Sequence, residues 1–167
     1  MFGGLSAVVL FRIDERLIHG QVVTAWVGHV KAKSIMVVDD ASARNPVLTK
    51  VLKMAAPPGI PVSVYDVEAA SQALTRSDET SRIMLIVKTP EVAQRLIARV
   101  DNNNVFPPEI NMGNAGKTPE RTKITPNVYL DASGLAALKE IKARGYEVYF
   151  QTVPGDTRFT WEKVVKA

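Results

Sequence analysis

Apolar positions along the chain fall into short unbroken runs that alternate with stretches of helical spacing. Ala7-Val8-Val9-Leu10-Phe11 is continuous, as in a strand buried on both faces. Val22, Val23, Trp26, Val27 and Val30 then recur every three or four residues and predict a helix from about Gln21. Ser34–Val38 reads as a second strand, ending in Asp39-Asp40. Asn45-Pro46 is an N-cap and first-turn pair, and Leu48, Val51, Leu52 and Ala55 form the expected inner stripe of the helix it opens. Pro57-Pro58-Gly59 stops that helix. Val62–Tyr65 is a third strand, followed by a helix over 67–74. Ile83–Val87 is a strongly apolar strand, and Thr89-Pro90-Glu91 opens a helix with Val92, Ala93, Leu96 and Ile97 inward. Short strands are expected at 109–112 and at Val128–Leu130, with a polar loop over 113–123 between them. Asp131 or Ser133 caps a helix carrying Leu135, Leu138 and Ile141; Gly145 ends it, and 147–153 is the last strand.

Strands alternating with helices imply an α/β fold with a mostly parallel central sheet and helices on both faces. No repeat or low-complexity tract divides the chain, so residues 1–167 are read as one domain. Residues 1–6 are read as a loose leader, and 156–167 as a tail or short helix.

Composition narrows the function classes. A net charge of +4 with a pI near 9.4 favours an acidic or phosphorylated partner. The basic residues are too scattered, and too little interleaved with aromatics, to predict nucleic-acid binding. There is no cysteine, hence no disulfide, thiol nucleophile or thiolate metal site. Two histidines without suitably spaced carboxylates make no metal motif, and no cofactor is expected. No signal peptide is read at the start, and no apolar run approaches the roughly 20 residues that span a bilayer. A cytoplasmic protein is the expectation.

The chemistry concentrates in one stretch. Residues 12–21 place Arg12, Asp14, Glu15, Arg16 and His19 between the first strand and the first helix, followed by Gly20. In a parallel sheet all carboxyl ends share one edge, where ligands bind and helix amino ends favour anions. Asp39-Asp40, Asp66, Lys88-Thr89 and Asn111 to Asn114 reach the same edge. A neutral imidazole is a competent nucleophile toward phosphorus. Arg12 and Arg16 could stabilise phosphoryl oxygens, Gly20 would let another molecule approach, and Asp14 could bond the second ring nitrogen or orient an arginine. The bland alternative is that His19 only caps or packs against the helix. His29, at the edge of the helical stripe, is read as structural or surface. Asp39-Asp40 after an apolar strand suggests a rival, a receiver-like module phosphorylated on Asp39 or Asp40, but Asp66 and Lys88 stand at the wrong strands for it. A small-molecule binding domain using the same cleft is a second alternative. No nucleophile-elbow serine is present, and Gly116-Lys117-Thr118 lacks the first glycine of a phosphate-binding loop.

Arg-Ile-Asp-Glu-Arg-Leu-Ile-His-Gly-Gln-Val at 12–22 resembles the signature of the IIB subunit of the mannose/fructose/sorbose class of the bacterial sugar phosphotransferase system. Val37-Val38-Asp39-Asp40, Ala56-Pro57-Pro58-Gly59, Val87-Lys88-Thr89-Pro90, Ile110-Asn111-Met112-Gly113-Asn114 and Ala143-Arg144-Gly145 resemble further family blocks in order, while 113–123 departs from the pattern. The resemblance implies a phosphocarrier. His19 would accept a phosphoryl group on Nδ1 from a IIA protein and pass it to a sugar held by membrane IIC and IID subunits. That sugar would be mannose, fructose, sorbose or an N-acetylated amino sugar. Arg12, Asp14 and Arg16 would surround the phosphohistidine, with Gly20, Asp39, Asp40, Lys88 and Asn111 as neighbours. Leu17, Ile18 and Met112 are expected to give the apolar ground on which partners dock at the inner face of the membrane.

Overall fold

The computed structural model describes residues 6–100 and 104–166. In chain order the elements are β1 (Val8–Asp14), α1 (Gly20–Val30), β2 (Ser34–Val38), α2 (Asp40–Ala43), α3 (Pro46–Ala55), β3 (Val62–Tyr65), α4 (Val67–Thr75), β4 (Ile83–Val87), α5 (Pro90–Arg99), β5 (Glu109–Asn114), β6 (Thr122–Thr125), β7 (Val128–Leu130), α6 (Ala132–Ala143), β8 (Glu147–Phe150), β9 (Phe159–Thr160) and α7 (Trp161–Val164). One sheet has the order β3-β2-β4-β1-β5-β8-β9, parallel throughout except for β9, which runs antiparallel to β8. β6 and β7 form a separate antiparallel pair.

The period of two in the strands divides the core. Val8, Phe11, Ile13, Ile83, Leu85 and Val87 face a layer built by α4, α5 and α6. Leu10, Ile35, Val37, Met84 and Ile86 face α1 and α3. The helix after β1 therefore leaves to one face and the helix after the adjacent β4 to the other. This divergence opens a crevice at the carboxyl ends of β1 and β4, where an α/β sheet presents its ligand site.

Several local expectations change. β1 continues three residues beyond Phe11 to Asp14, so Arg12 and Asp14 are strand residues. The expected polar loop at 113–123 is cut short by β6, which pairs with β7. Asp131 caps α6 through the Gly134 amide, whereas Ser133 lies within the helix. The last long strand ends at Phe150, and the tail folds as β9 and α7, with Phe159 and Trp161 against the larger core layer. Of the leader expected at 1–6, residues 1–5 lie outside the described residues. The predicted inner stripe of α3 buries only Leu52, while Leu48 and Val51 face solvent.

Candidate functional site

The turn from β1 to α1 is built on Asp14. Its Oδ1 accepts from the Arg16 amide (2.9 Å) and Nε (3.1 Å). Its Oδ2 accepts from Arg12 Nη2 (3.0 Å) and Arg16 Nη2 (3.1 Å). Asp14 thus takes the second of the roles open to it: it orients two arginines and makes no bond to His19. The Leu17 amide donates to the Asp14 carbonyl, and Leu17 sits at φ 57. A bulky residue in the left-handed region is strained, so the carboxylate contacts must hold the turn in place. Gly20 repeats that backbone at φ 49, with open space where a Cβ would stand.

Arg12 is buried to 1% exposure beneath this turn. Its Nη1 donates to Asn111 Oδ1 (2.5 Å) and to the Gln151 carbonyl (3.2 Å), and its guanidinium lies 5.7 Å from the Trp26 ring centre. Burial pulls its pKa below the ordinary value, and Asp14 opposes that. Asn111, fully buried, donates to the same Gln151 carbonyl at 3.1 Å, and Trp26 Nε1 donates to the Thr152 carbonyl at 2.9 Å. β1, β5, α1 and the chain after β8 are knitted together by one charged group. Gly113 makes room for it, because a Cβ there would overlap the Arg12 guanidinium. Gly113→Ala is expected to cost about 1–3 kcal/mol of stability by overpacking. A denaturant titration checks this, and an unchanged midpoint would refute it.

Arg16 differs: its side chain is 35% exposed and its Nη1 has no partner among the described residues. His19 is the N-cap of α1, in extended conformation, and makes no capping bond. By contrast α2 to α6 are each capped by an Asp, Asn or Thr side chain. The first-turn amides of α1 are therefore left to solvent or an anion. His19 Nε2 is buried and has no partner among the described residues.

Other predicted neighbours take different places. Ile13 pairs with Val87, so Lys88 follows at the strand end beside Asp14; it is exposed and unpaired among the described residues. Asn111 serves Arg12 from within the sheet. Asp39 and Asp40 follow β2, two strands from β1. Asp39 accepts from the Ser42 amide and hydroxyl, and Asp40 from the Val67 amide and Arg95. Both acids are spent on structure at helix starts, as a receiver's acceptor would not be. Leu17, Ile18 and Met112, expected as docking ground, are 6%, 5% and 0% exposed and belong to the core.

The sequence reading missed one link. Glu15 accepts from the Gly116 amide (2.7 Å) and Arg121 Nη1 (2.5 Å), fastening the loop before β6 to the turn. This contact raises the Arg121 pKa. A concavity of about 240 Å³ opens beyond β5 and β8, lined in part by Gly113, Gln151 and Thr152 beside the buried Arg12 network.

The sequence profile of the PTS system sorbose subfamily IIB component matches residues 8–167. N-acetylgalactosamine-specific phosphotransferase enzyme IIB component 2 of Escherichia coli K12 is 34% identical, over 88% of this chain and 91% of its own. The crystal structure of manxB from Thermoanaerobacter tengcongensis superposes with a TM-score of 0.84 at 32% identity, covering 96% of both chains. The IIBSor domain of the sorbose permease from Klebsiella pneumoniae gives 0.81 at 27% identity, covering 92% of both. These likenesses span the histidine turn and both core layers, and they do not favour the receiver alternative; the chain belongs to the IIB components of the sorbose subfamily of the sugar phosphotransferase system, and is a phosphotransferase of that system.

Proposed function

We propose that His19 is the phosphocarrier, taking a phosphoryl group on Nδ1 from a IIA protein and handing it to a sugar held by IIC and IID subunits at the inner face of the membrane. The observation that carries this reading is His19 at the uncapped start of α1, with Nε2 sealed. In the first step the Nδ1 lone pair attacks phosphorus, an N–P bond forms and the donor's N–P bond breaks. In the second, a sugar hydroxyl attacks, its proton is lost to water and the Nδ1–P bond breaks. The helix amides and the free edge of the Arg16 guanidinium meet the spread charge of such a transition state. A phosphoryl group on Nδ1 puts the proton on Nε2, where no acceptor among the described residues meets it. Names of relatives favour an N-acetylated amino sugar as acceptor.

The test is a relay driven by phosphoenolpyruvate, followed by the stability of the label. A phosphohistidine is lost in acid and survives base, while an acyl phosphate is lost in base. A base-labile label would overturn the reading, and so would no label from any IIA protein. Arg16→Ala is expected to slow transfer about 10- to 100-fold, the range for losing a charged donor to the transition state. Its melting temperature should hardly move, because Asp14 keeps Arg12. Unaltered transfer kinetics would remove Arg16 from the site.

A further inference from the structure

The exposed large apolar side chains among the described residues all stand on one helix: Val47 (69%), Leu48 (43%), Val51 (55%) and Met54 (75%), on α3. Val47, Val51 and Met54 are spaced i, i+4, i+7, and Leu48 continues the stripe toward buried Leu52. The apolar face of α3 thus extends well beyond Leu52, the one residue it buries in the core. Soluble proteins seldom leave such a face open without a partner for it.

We propose that this face docks the protein that donates the phosphoryl group, through an apolar contact ringed by acidic side chains on that protein. The inference rests on the relay reading. Three observations lead to it. α1 and α3 share one core layer, so they lie on the same face of the sheet; α1 begins at its carboxyl edge, and α3 follows α2, which begins there. α3 packs against β3, and β2 and β4 separate that strand from β1, a span of about 14 Å across the sheet. A partner covering about 800 Å², a disc about 30 Å across, would reach from His19 to α3. Beyond Gly20, the exposed residues of α1 are Gln21, Thr24, Ala25, Gly28 and His29, and three of these five are small.

The charges select the occupant. Arg44, Lys50 and Lys53 are exposed around the apolar stripe, with no acidic residue in α3. A second copy docked by a two-fold axis would bring lysines toward lysines, which costs association. A bilayer is also a poor match, because α3 has 10 residues and no aromatic side chain to anchor it. A phosphorylated donor brings up to about two negative charges of its own. The residues expected to form the docking ground, Leu17, Ile18 and Met112, are buried, and α3 supplies the apolar area instead.

The experiment uses the full chain and the IIA protein that labels it. Val51→Glu with Met54→Glu, and separately Lys50→Glu with Lys53→Glu, are titrated with phosphorylated donor. Each pair should raise the donor concentration giving half-maximal rate about tenfold or more, in line with loss of an interface anchor. The final extent of His19 labelling should stay complete, and thermal melts should stay close to the unmodified chain, because the sites are exposed. Unchanged donor dependence overturns the proposal. It would equally fall if the apolar pair abolished self-association, or binding to vesicles of anionic lipid, while donor dependence stayed the same. Failure to label the unmodified chain would overturn the relay reading and this inference together, whereas labelling with unchanged donor dependence overturns this inference alone.

Discussion

His19→Ala is expected to abolish phosphoryl labelling while leaving the fold intact. The two halves of this outcome have separate causes. Alanine offers no lone pair to phosphorus, and His29 cannot stand in: it lies in the last turn of α1, edge-on to Trp26 with ring centres 5.8 Å apart, at the far end of the helix. Stability should hold because His19 contributes little to it. It makes no capping bond, and its buried Nε2 has no partner, so truncation removes an unsatisfied polar atom along with some packing. Labelling at background with a melting temperature near that of the unmodified chain is the expected pair of results, and His29→Ala should label fully. Retained labelling of the His19 variant would remove it as the carrier. A collapsed melting temperature would mean that the turn depends on the ring.

Much of the scaffold was legible because two periodicities rarely mislead when they alternate. Ile83–Val87 could hardly be anything but an inner strand, and Asn45, Thr89 and Asp131 cap helices as their positions beside helical stripes suggest. Hydrophobicity failed where burial was achieved by other means. Arg12 and Asp14 look like turn residues, yet they belong to β1, since each makes the other's burial tolerable. β6 reads as loop because Thr122 and Lys123 are exposed on an outlying pair of strands. In α3 the pattern was right and its meaning was not, because a helical stripe does not say whether the core or another protein covers it.

The candidate site was legible in its charges and illegible in its backbone. Two arginines, two carboxylates and a histidine crowded into ten residues mark the turn. The acceptors that hold Arg12 include the Gln151 carbonyl, and Trp26 is pinned by the Thr152 carbonyl. Main-chain groups carry no sequence signal, so the reach of this network into the chain after β8 could not be foreseen. The division of labour between the two arginines had the same origin. They look equivalent by spacing, and only burial separates one that shapes the turn from one that can reach a phosphoryl group.

Asp14→Ala should then be the most destabilising substitution in the turn. It removes the acceptor of Arg12 Nη2, of Arg16 Nε and Nη2, and of the Arg16 amide. Arg12 would keep only the neutral oxygens of Asn111 and Gln151. A buried cation without its counter-charge typically costs about 3–5 kcal/mol, a large share of a domain's total of about 5–15 kcal/mol. For a chain of this size that lowers the melting temperature by about 6–20 °C. A melt within a few degrees of the unmodified chain would show that the pair is dispensable to the fold. Arg12→Met combined with Asp14→Leu separates stability from chemistry. Apolar residues of similar volume should recover most of the lost stability, because they remove both buried charges together. They should not recover transfer, since nothing then holds Arg16 and its amide against the strained Leu17 turn. A stable double variant that transfers at the normal rate would reduce the Arg12–Asp14 pair to a structural filler. A stable variant that labels slowly would identify Asp14 as the residue that shapes the turn for His19.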